Sequence, residues 1–408
     1  MEHTIIKIKL GQLLNSLSYA LDAAENRYFN HSRRTAYIAY KIAREMELDE
    51  RDIADTYFIS LIHDIGMAGY LSKYSVSHIH MDFNLRKQHC QIGYEIIEKL
   101  PHISKKKDYL LYHHEEYDGT GPYGLKGEEI PLVAQIIHIA DFFELFYFRQ
   151  ERDVKKLNDI DKVHKWLDKY RNKMFSNRVC DGLLYALKKD KFWFDLMNGN
   201  IGTVLQFIEP NRDILIDIKD LRKISEAFSI IIDLKSKFTY NHSQGISNIT
   251  SKFASFLGYN PLMIEKLTIA ADLHDIGKFV VPVSLIEKPG KLTAEEFLIM
   301  KSHVYYTKLI LKQIDGIEDI AEWAGNHHER LNGTGYPEKL DERTLTKEDQ
   351  IIAIADVFQA LTEDRPYRKG MDTKEALNIL DSMTLKGEIS RSLFIDFKHL
   401  VTNEEVLI

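Results

Sequence analysis

An all-α protein built as two tandem helical bundles is the fold class this sequence predicts, and three observations predict it. Leucines recur from the start of the chain as Leu10, Leu13, Leu14, Leu17 and Leu21, the interval that lines one face of a helix. Two-residue apolar alternation, the mark of a half-buried strand, is almost absent. Short histidine-bearing motifs return once at a nearly constant distance, which signals an internal duplication.

The elements follow in order. The opening MEHTIIKIKLGQLL has no extended apolar core with a small-residue cleavage site, so no signal peptide is expected. The leucine-spaced helix comes next. DIADTYFISLIHDIG then carries a helix into His63-Asp64, with Gly66 just past the pair to end it. The most apolar run, Ile136 to Phe148, holds His138, Asp141 and Glu144, so it is too short and too charged to span a bilayer. Asn198 to Asp213 is punctuated by Gly199, Gly202 and Pro210 and reads as the junction between domains. The expected domains are 1–205 and 206–408, each of a size that folds comfortably alone. In the second, MIEKLTIAADLHDIG again drives a helix into an identical His274-Asp275 ending.

The duplication is specific. Asn30-His31-Ser32 recurs as Asn241-His242-Ser243, and His63-Asp64-Ile65-Gly66 as His274-Asp275-Ile276-Gly277, both 211 residues on. His89 maps to His303 and His113-His114-Glu115 to His327-His328-Glu329 at 214, and Ile139-Ala140-Asp141 to Ile354-Ala355-Asp356 at 215. With 17 histidines in 408 residues, one aligned match has a chance of about 0.04, so five together mark a tandem repeat. His78, His80, His102, His138, His164 and His399 have no partner in the repeat and read as surface or packing residues.

Composition narrows the function. Apolar residues make up 44% of the chain, enough for a sizeable core and against disorder. Only Cys90 and Cys180 are present, which fits a reducing cytoplasm and excludes a disulfide scaffold. A net charge of −7 argues against binding DNA or RNA polymers, which need basic surface. An anionic ligand would have to be met by local positive charge.

The repeated residues are of the types that bind metal. Imidazole and carboxylate oxygen suit divalent manganese, iron or zinc. His242, His274, Asp275, His303, His327, His328 and Asp356 form the candidate set in the second half. His31, His63, Asp64, His89, His113, His114 and Asp141 form a possible second site in the first. A single helical histidine is more often a core residue than a ligand. Recurrence of all seven positions in both halves reverses that expectation. Lys278 stands one helical turn beyond Asp275, within reach of a phosphate oxygen. Arg365 and Arg368 offer planar donors that fit phosphate or a guanine edge, or else salt bridges to Glu363 or Asp364. Tyr336, in the glycine-rich Gly333-Thr334-Gly335-Tyr336-Pro337, offers a ring for base stacking.

The order LHDIGK, His303, NHHERLNGTGYP, IADVFQALTEDRPYR resembles the HD-GYP family, the cyclic-dinucleotide phosphodiesterase branch of the HD superfamily. His274-Asp275 matches the HD pair and Gly335-Tyr336-Pro337 the GYP signature. The resemblance implies two HD-type helical bundles. It also implies two divalent ions per active site, iron or manganese, with Asp275 bridging them. Two such ions roughly 3.5–4 Å apart activate water and neutralise phosphodiester charge. Cyclic di-GMP is the family's usual substrate, with pGpG or GMP as product, and 3′,3′-cGAMP the alternative. Asp275 and Lys278 would be catalytic, with Lys278, Tyr336, Arg365 and Arg368 binding substrate.

The two halves depart from the family differently. The first keeps every ligand position but has Met67 in place of the lysine, DGTGPYG in place of the GYP loop and no RPYR. It is expected to hold metal but to be a degenerate copy, since a thioether supplies neither charge nor a donor. The second has EKLDERTLTKED in place of GLKGEEIP, and Gln359 where many members carry an aspartate. Some members add a third metal through a glutamate four residues before the first histidine. Phe238 and Arg27 stand there, so a binuclear site is expected. Two other readings compete with hydrolysis: a sensor that binds a cyclic dinucleotide without cleaving it, and a nucleotide phosphohydrolase of the wider superfamily. No receiver, sensor or membrane segment is recognised, so input is expected through the first half or from a separate signalling protein. These motifs do not encode an oligomeric state.

Overall fold

The structure, a computed structural model, describes residues 8–23, 30–67, 70, 74–150, 159–197, 199–210, 214–235, 242–364 and 369–403. The fold is all-α, in two compact units. One comprises residues 10–214; the other comprises residues 215–408 together with the N-terminal 1–9. Strand β1 (Ile8–Lys9) pairs antiparallel with β2 (Leu215–Ile216), Ile8 opposite Ile216. That pairing places the start of the chain with the second unit, and it is the only sheet among the described residues. No described helix is long and apolar enough to cross a membrane.

The first unit contains α1 (Leu10–Ala23), α2 (His31–Glu45), α3 (Glu50–Leu61), α4 (Val76–Met81), α5 (Phe83–Glu98), α6 (Lys107–Leu111) and α7 (Leu132–Phe143). The last runs on into a π-helical turn, Glu144–Phe148. It is completed by α8 (Ile160–Leu167), α9 (Asn177–Leu187), α10 (Asp190–Leu196) and α11 (Ile201–Ile208). The second contains α12 (Ile218–Leu234), α13 (His242–Phe256), α14 (Pro261–Leu273), α15 (Val283–Ile286), α16 (Ala294–Leu311), α17 (Glu318–Gly325), α18 (Lys347–Thr362), α19 (Thr373–Leu385) and α20 (Arg391–Asn403). Each unit buries its own core. Tyr37, Tyr57, Phe143 and Phe192 fill the first, and Phe228, Phe253, Phe358 and Phe397 the second.

Local sequence explains where the key helices start. Asp49, Ser75 and Asp82 accept backbone N–H groups at the starts of α3, α4 and α5. Thr293 with Glu296, and Thr346 with Asp349, form reciprocal capping boxes on α16 and α18. Asp22 accepts the Ser32 N–H at 2.8 Å, and Asp233 accepts the Ser243 hydroxyl at 2.9 Å. These equivalent pairs fix the first turns of α2 and α13, which open on His31 and His242.

The glycine of each HDIG motif is a contact point. A Cβ at Gly66 would lie 2.0 Å from the His89 carbonyl oxygen, and one at Gly277 1.9 Å from that of His303. Only hydrogen fits there. The bare backbone lets α5 and α16 approach closely enough to bring His89 and His303 to the histidine-aspartate pairs.

Candidate metal centre

In the second unit, α14 ends at Leu273 and the chain turns sharply, so His274 and Asp275 both face inward. Their side chains lie 3.1 Å apart, His274 Nε2 to Asp275 Oδ2. α16 contributes His303, whose Nε2 lies 3.5 Å from Asp275 Oδ1. The turn after α17 contributes His327 and His328, their rings 4.2 Å apart. Asp356, from α18, lies with Oδ2 3.8 Å from His328 Nδ1. Two groups of ligand-type atoms result, His274–Asp275–His327 and His303–His327–His328, each within 4.8 Å.

Backbone carbonyls fix how these imidazoles present themselves. Nδ1 of His274, His303 and His327 lies 2.6, 2.6 and 2.7 Å from the carbonyls of Ala271, Met300 and Ala324. A carbonyl can only accept, so each Nδ1 carries a proton, which orients the ring; in a neutral imidazole Nε2 then presents a lone pair, the arrangement of a metal-binding histidine. Nε2 of His303 and of His327 is buried with no hydrogen-bond partner. Burial pushes His303 down to about 4 and His327 to about 3, so both are neutral at pH 7. Burial opposes the charge on Asp275, but His274, Lys278 and His303 outweigh it and hold the carboxyl well below its usual range. Neutral imidazoles with orphaned lone pairs around an ionised carboxylate fit a divalent cation.

The remaining residues of the set are placed as follows. Lys278 Nζ pairs with Asp275 Oδ2. Tyr336 packs its ring 4.9 Å from that of His328 and 5.9 Å from that of Phe297. The side chain of His242, and Arg365, Arg368, Phe238 and Arg27, lie outside the described residues.

Sequence reasoning passed over Glu329. Its two carboxylate oxygens accept the N–H groups of Glu338 and Leu340 at 2.7 and 3.0 Å, clamping the loop that carries Tyr336. Glu115 does the same for Tyr123 and Leu125 at 2.7 and 2.6 Å. The recurrence of His-His-Glu in both halves was the available signal.

The first unit gathers its own set around Asp64. His31 Nε2 and His63 Nε2 each lie 3.3 Å from Asp64 Oδ2, and His89 Nε2 and His113 Nε2 lie 3.7 and 4.0 Å from Oδ1. Asp141 Oδ1 is 3.2 Å from His31 Nε2. His114 is buried among the rings of His89, His113 and His138. Glu144 Oε2 holds His31 Nδ1 at 2.8 Å; its repeat partner is Gln359.

One reading needs correction. His80 is no ordinary surface or packing residue. α4 carries it into this cluster, Nδ1 3.0 Å from Asp141 Oδ2 and Nε2 3.6 Å from Asp64 Oδ1. Burial would lower its pKa, but Asp141 and Asp64 outweigh that and raise it to about 9. The physical reason lies beside Met67, which packs with Val76 and Ile79 of α4 and with Leu145. Val76, Ile79 and His80 form the buried side of α4; seating Val76 and Ile79 on the methionine carries His80, one turn on from Val76, to the carboxylates.

A family profile described as the HD domain matches residues 15–169 and 226–393, which contain both sets. The chain belongs to the HD-domain family. Among HD-domain relatives, the 3′3′-cGAMP-specific phosphodiesterase 1 of Vibrio cholerae is 30% identical over 392 residues, 95% of this chain and 90% of that protein. A cyclic di-GMP phosphodiesterase of Thermotoga maritima is 30% identical over 218 residues, 53% of this chain and 56% of that one. A solved structure, a cyclic GMP-AMP specific phosphodiesterase of V. cholerae, superposes with a TM-score of 0.70 at 24% identity, covering 97% of this chain and 98% of that one. That likeness concerns the fold, and it spans both HD segments.

Proposed function

We propose that this HD-domain protein hydrolyses a cyclic dinucleotide and that the reaction takes place in the second unit. Asp275 carries the reading. It is an ionised, buried carboxylate flanked by His274 and His303 and capped by the Lys278 ammonium, beside two adjoining groups of ligand atoms. His274, Asp275, His303, His327, His328 and Asp356, with His242, are proposed to hold two divalent ions, iron or manganese. Such ions, when bound, supply an activated water and charge neutralisation at phosphorus.

The chain's own residues do the rest. The Nδ1–H bonds to backbone carbonyls lock the imidazole rings, so little reorganisation is needed when substrate arrives. Lys278, part-exposed on the carboxylate, is placed to shift its ammonium onto a non-bridging phosphate oxygen. Glu329 holds the Tyr336 loop over His328, forming one wall for the ligand. Water adds across the bond from phosphorus to the 3′ oxygen, which leaves with a proton and opens the ring.

Cyclic di-GMP and 3′,3′-cGAMP share this chemistry. The mixed dinucleotide gains support from two curated relatives that match over 95% and 91% of this chain, both named as 3′3′-cGAMP-specific. The test offers each substrate to the wild type and to variants. Asp275→Ala and Lys278→Ala should each lower turnover by about 10²–10³-fold, while Asp64→Ala stays within a few-fold of wild type. Equal loss from Asp64→Ala, or tight binding of either dinucleotide without cleavage in manganese or ferrous iron, would reject the assignment.

A further inference from the structure

The two units differ at the position three residues after the central aspartate. In the second, the cation facing the central carboxylate is a lysine on a flexible stem, 19% exposed, and the neighbouring His328 side chain is 24% exposed. In the first, the lysine is replaced by Met67, and the place beside the carboxylate is taken by His80 from a short helix. The equivalent of His328, His114, is buried at 2%, its ring 4.6 Å from that of His80.

We propose that the first unit contains a closed metal site formed by Asp64, His80, His89 and His114, in which His80 fills the coordination position that a catalytic site leaves to water or substrate. Four protein ligands with no open position characterise structural metal sites, whereas catalytic sites keep one vacant. These four residues are all buried, with ligand atoms mutually within 4.8 Å. Nε2 of His80, Nε2 of His114 and both oxygens of Asp64 are buried without a hydrogen-bond partner. His80 Nε2 and His89 Nε2 lie 3.6 and 3.7 Å from Asp64 Oδ1. That is too long for a hydrogen bond, but close to the edge of about 3.4 Å expected of a tetrahedron with bonds of about 2.1 Å.

The scaffold holds His80 in place from both ends of its helix. The Ser75 hydroxyl caps the start of α4, and Asp82 begins α5 directly after it. Ile79 and Val76 sit on Met67 and Leu145. His89 Nδ1 bonds the Leu85 carbonyl at 3.1 Å, turning its Nε2 to the same centre. Three nitrogens and one carboxylate oxygen suit zinc or another first-row divalent ion. The role is structural: the ion ties α4 and α5 to the turns bearing Asp64 and His114. This does not depend on which unit cleaves substrate.

The test uses the full chain carrying Asp275→Ala and His303→Ala, which dismantles the second site. Loaded with Zn²⁺ or Co²⁺ and dialysed against a weak chelator, it should retain about one ion per chain and melt higher than the metal-stripped protein. With Co²⁺ it should show the intense visible bands of four-coordinate cobalt, unchanged by added phosphate or azide. His80→Ala in the same background should weaken metal retention at least about tenfold. His78→Ala, an exposed position on the same helix, should change neither retention nor spectrum. Should His80→Ala fail to fold, His80→Gln takes its place, and its cobalt bands should weaken and respond to azide. No retained ion, retention indifferent to His80, or wild-type cobalt bands that shift with azide would each overturn the proposal.

Discussion

Gly277→Ala is the substitution whose effect can be worked most directly from the structure. A Cβ there would lie 1.9 Å from the His303 carbonyl oxygen and 2.6 Å from the Thr307 nitrogen, both backbone atoms of α16. Real Cβ contacts essentially never fall below 3.0 Å, so the carbonyl must retreat by 3.0 − 1.9 = 1.1 Å. The Thr307 hydroxyl bonds both the Gly277 N–H and the His274 carbonyl, so the strain cannot relax without loosening that bridge. His303 rides on the same turn, and its Nε2 would leave its 3.5 Å station at Asp275 by a similar amount. A misplacement of about 1 Å costs about 100-fold in rate, and such overpacking costs about 1–3 kcal/mol. Each kcal/mol is worth about 2–4 °C in the melting temperature of a unit this size. Steady-state turnover and thermal unfolding should therefore fall together. The matching Gly66→Ala, with its Cβ 2.0 Å from the His89 carbonyl, should lower stability alone. Wild-type turnover and melting in Gly277→Ala would refute the reasoning, as would equal loss of turnover in Gly66→Ala.

Three further outcomes follow. Stripping metal with a strong chelator should abolish turnover, and manganese or ferrous iron should restore it while magnesium does not, since nitrogen-rich sites disfavour hard cations; restoration by magnesium would count against the ligand set. Glu329→Gln replaces a carboxylate accepting two N–H groups with an amide that sets its own donors against one of them. The cost should be about 1–3 kcal/mol of local stability, read as a raised KM with faster proteolysis near Tyr336; an unchanged KM would deny the loop its role at the site. Burial pushes the ammonium of Lys235 down to about 7 from an ordinary 10.5, while the neutral amine can still donate to the carbonyls of Lys278 and Phe279. Between pH 7 and 10.5 the unfolded chain binds more protons at this residue, so its contribution to stability rises with pH there, by up to about 1.4 kcal/mol per unit. Chemical denaturation from pH 7 to 9.5 should show this slope in wild type relative to Lys235→Met, and equal slopes would place the lysine in water.

What was legible in the sequence was whatever recurs. The ligand positions, the HDIG glycines and the His-His-Glu clamp occur twice at matching distances, and each copy authenticates the other. The Asp22–Ser32 and Asp233–Ser243 pairs were equally legible at the 211-residue spacing. His80 was not, because it is unique to one half. The indirect signal was the change of offset from 211 to 214 between the HD pair and the lone histidine, which marks the segment holding α4 as the place where the halves diverge. Lys235 was invisible for another reason. Nothing in DLKSKF separates a lysine whose amine is drawn onto buried carbonyls from one left in water; tertiary packing alone decides.

Met67, where the second half has a lysine, and His80 are linked through packing. A methionine at 67 removes a cation from beside Asp64 and creates an apolar seat, and Ile79 and Val76 settle on that seat. His80 shares the buried side of this six-residue helix with Val76 and Ile79, so seating those two on Met67 brings residue 80 in beside the carboxylates. A histidine there meets the need the lysine left, a partner for buried anionic oxygens, but on a rigid support. Lys278, at the end of four methylenes, can leave Asp275 for a phosphate. His80, with a short stem on a capped helix, cannot. In the proposed assignment, Met67 together with His80 thus gives a centre that keeps its partner, and Lys278 one that exchanges it for substrate.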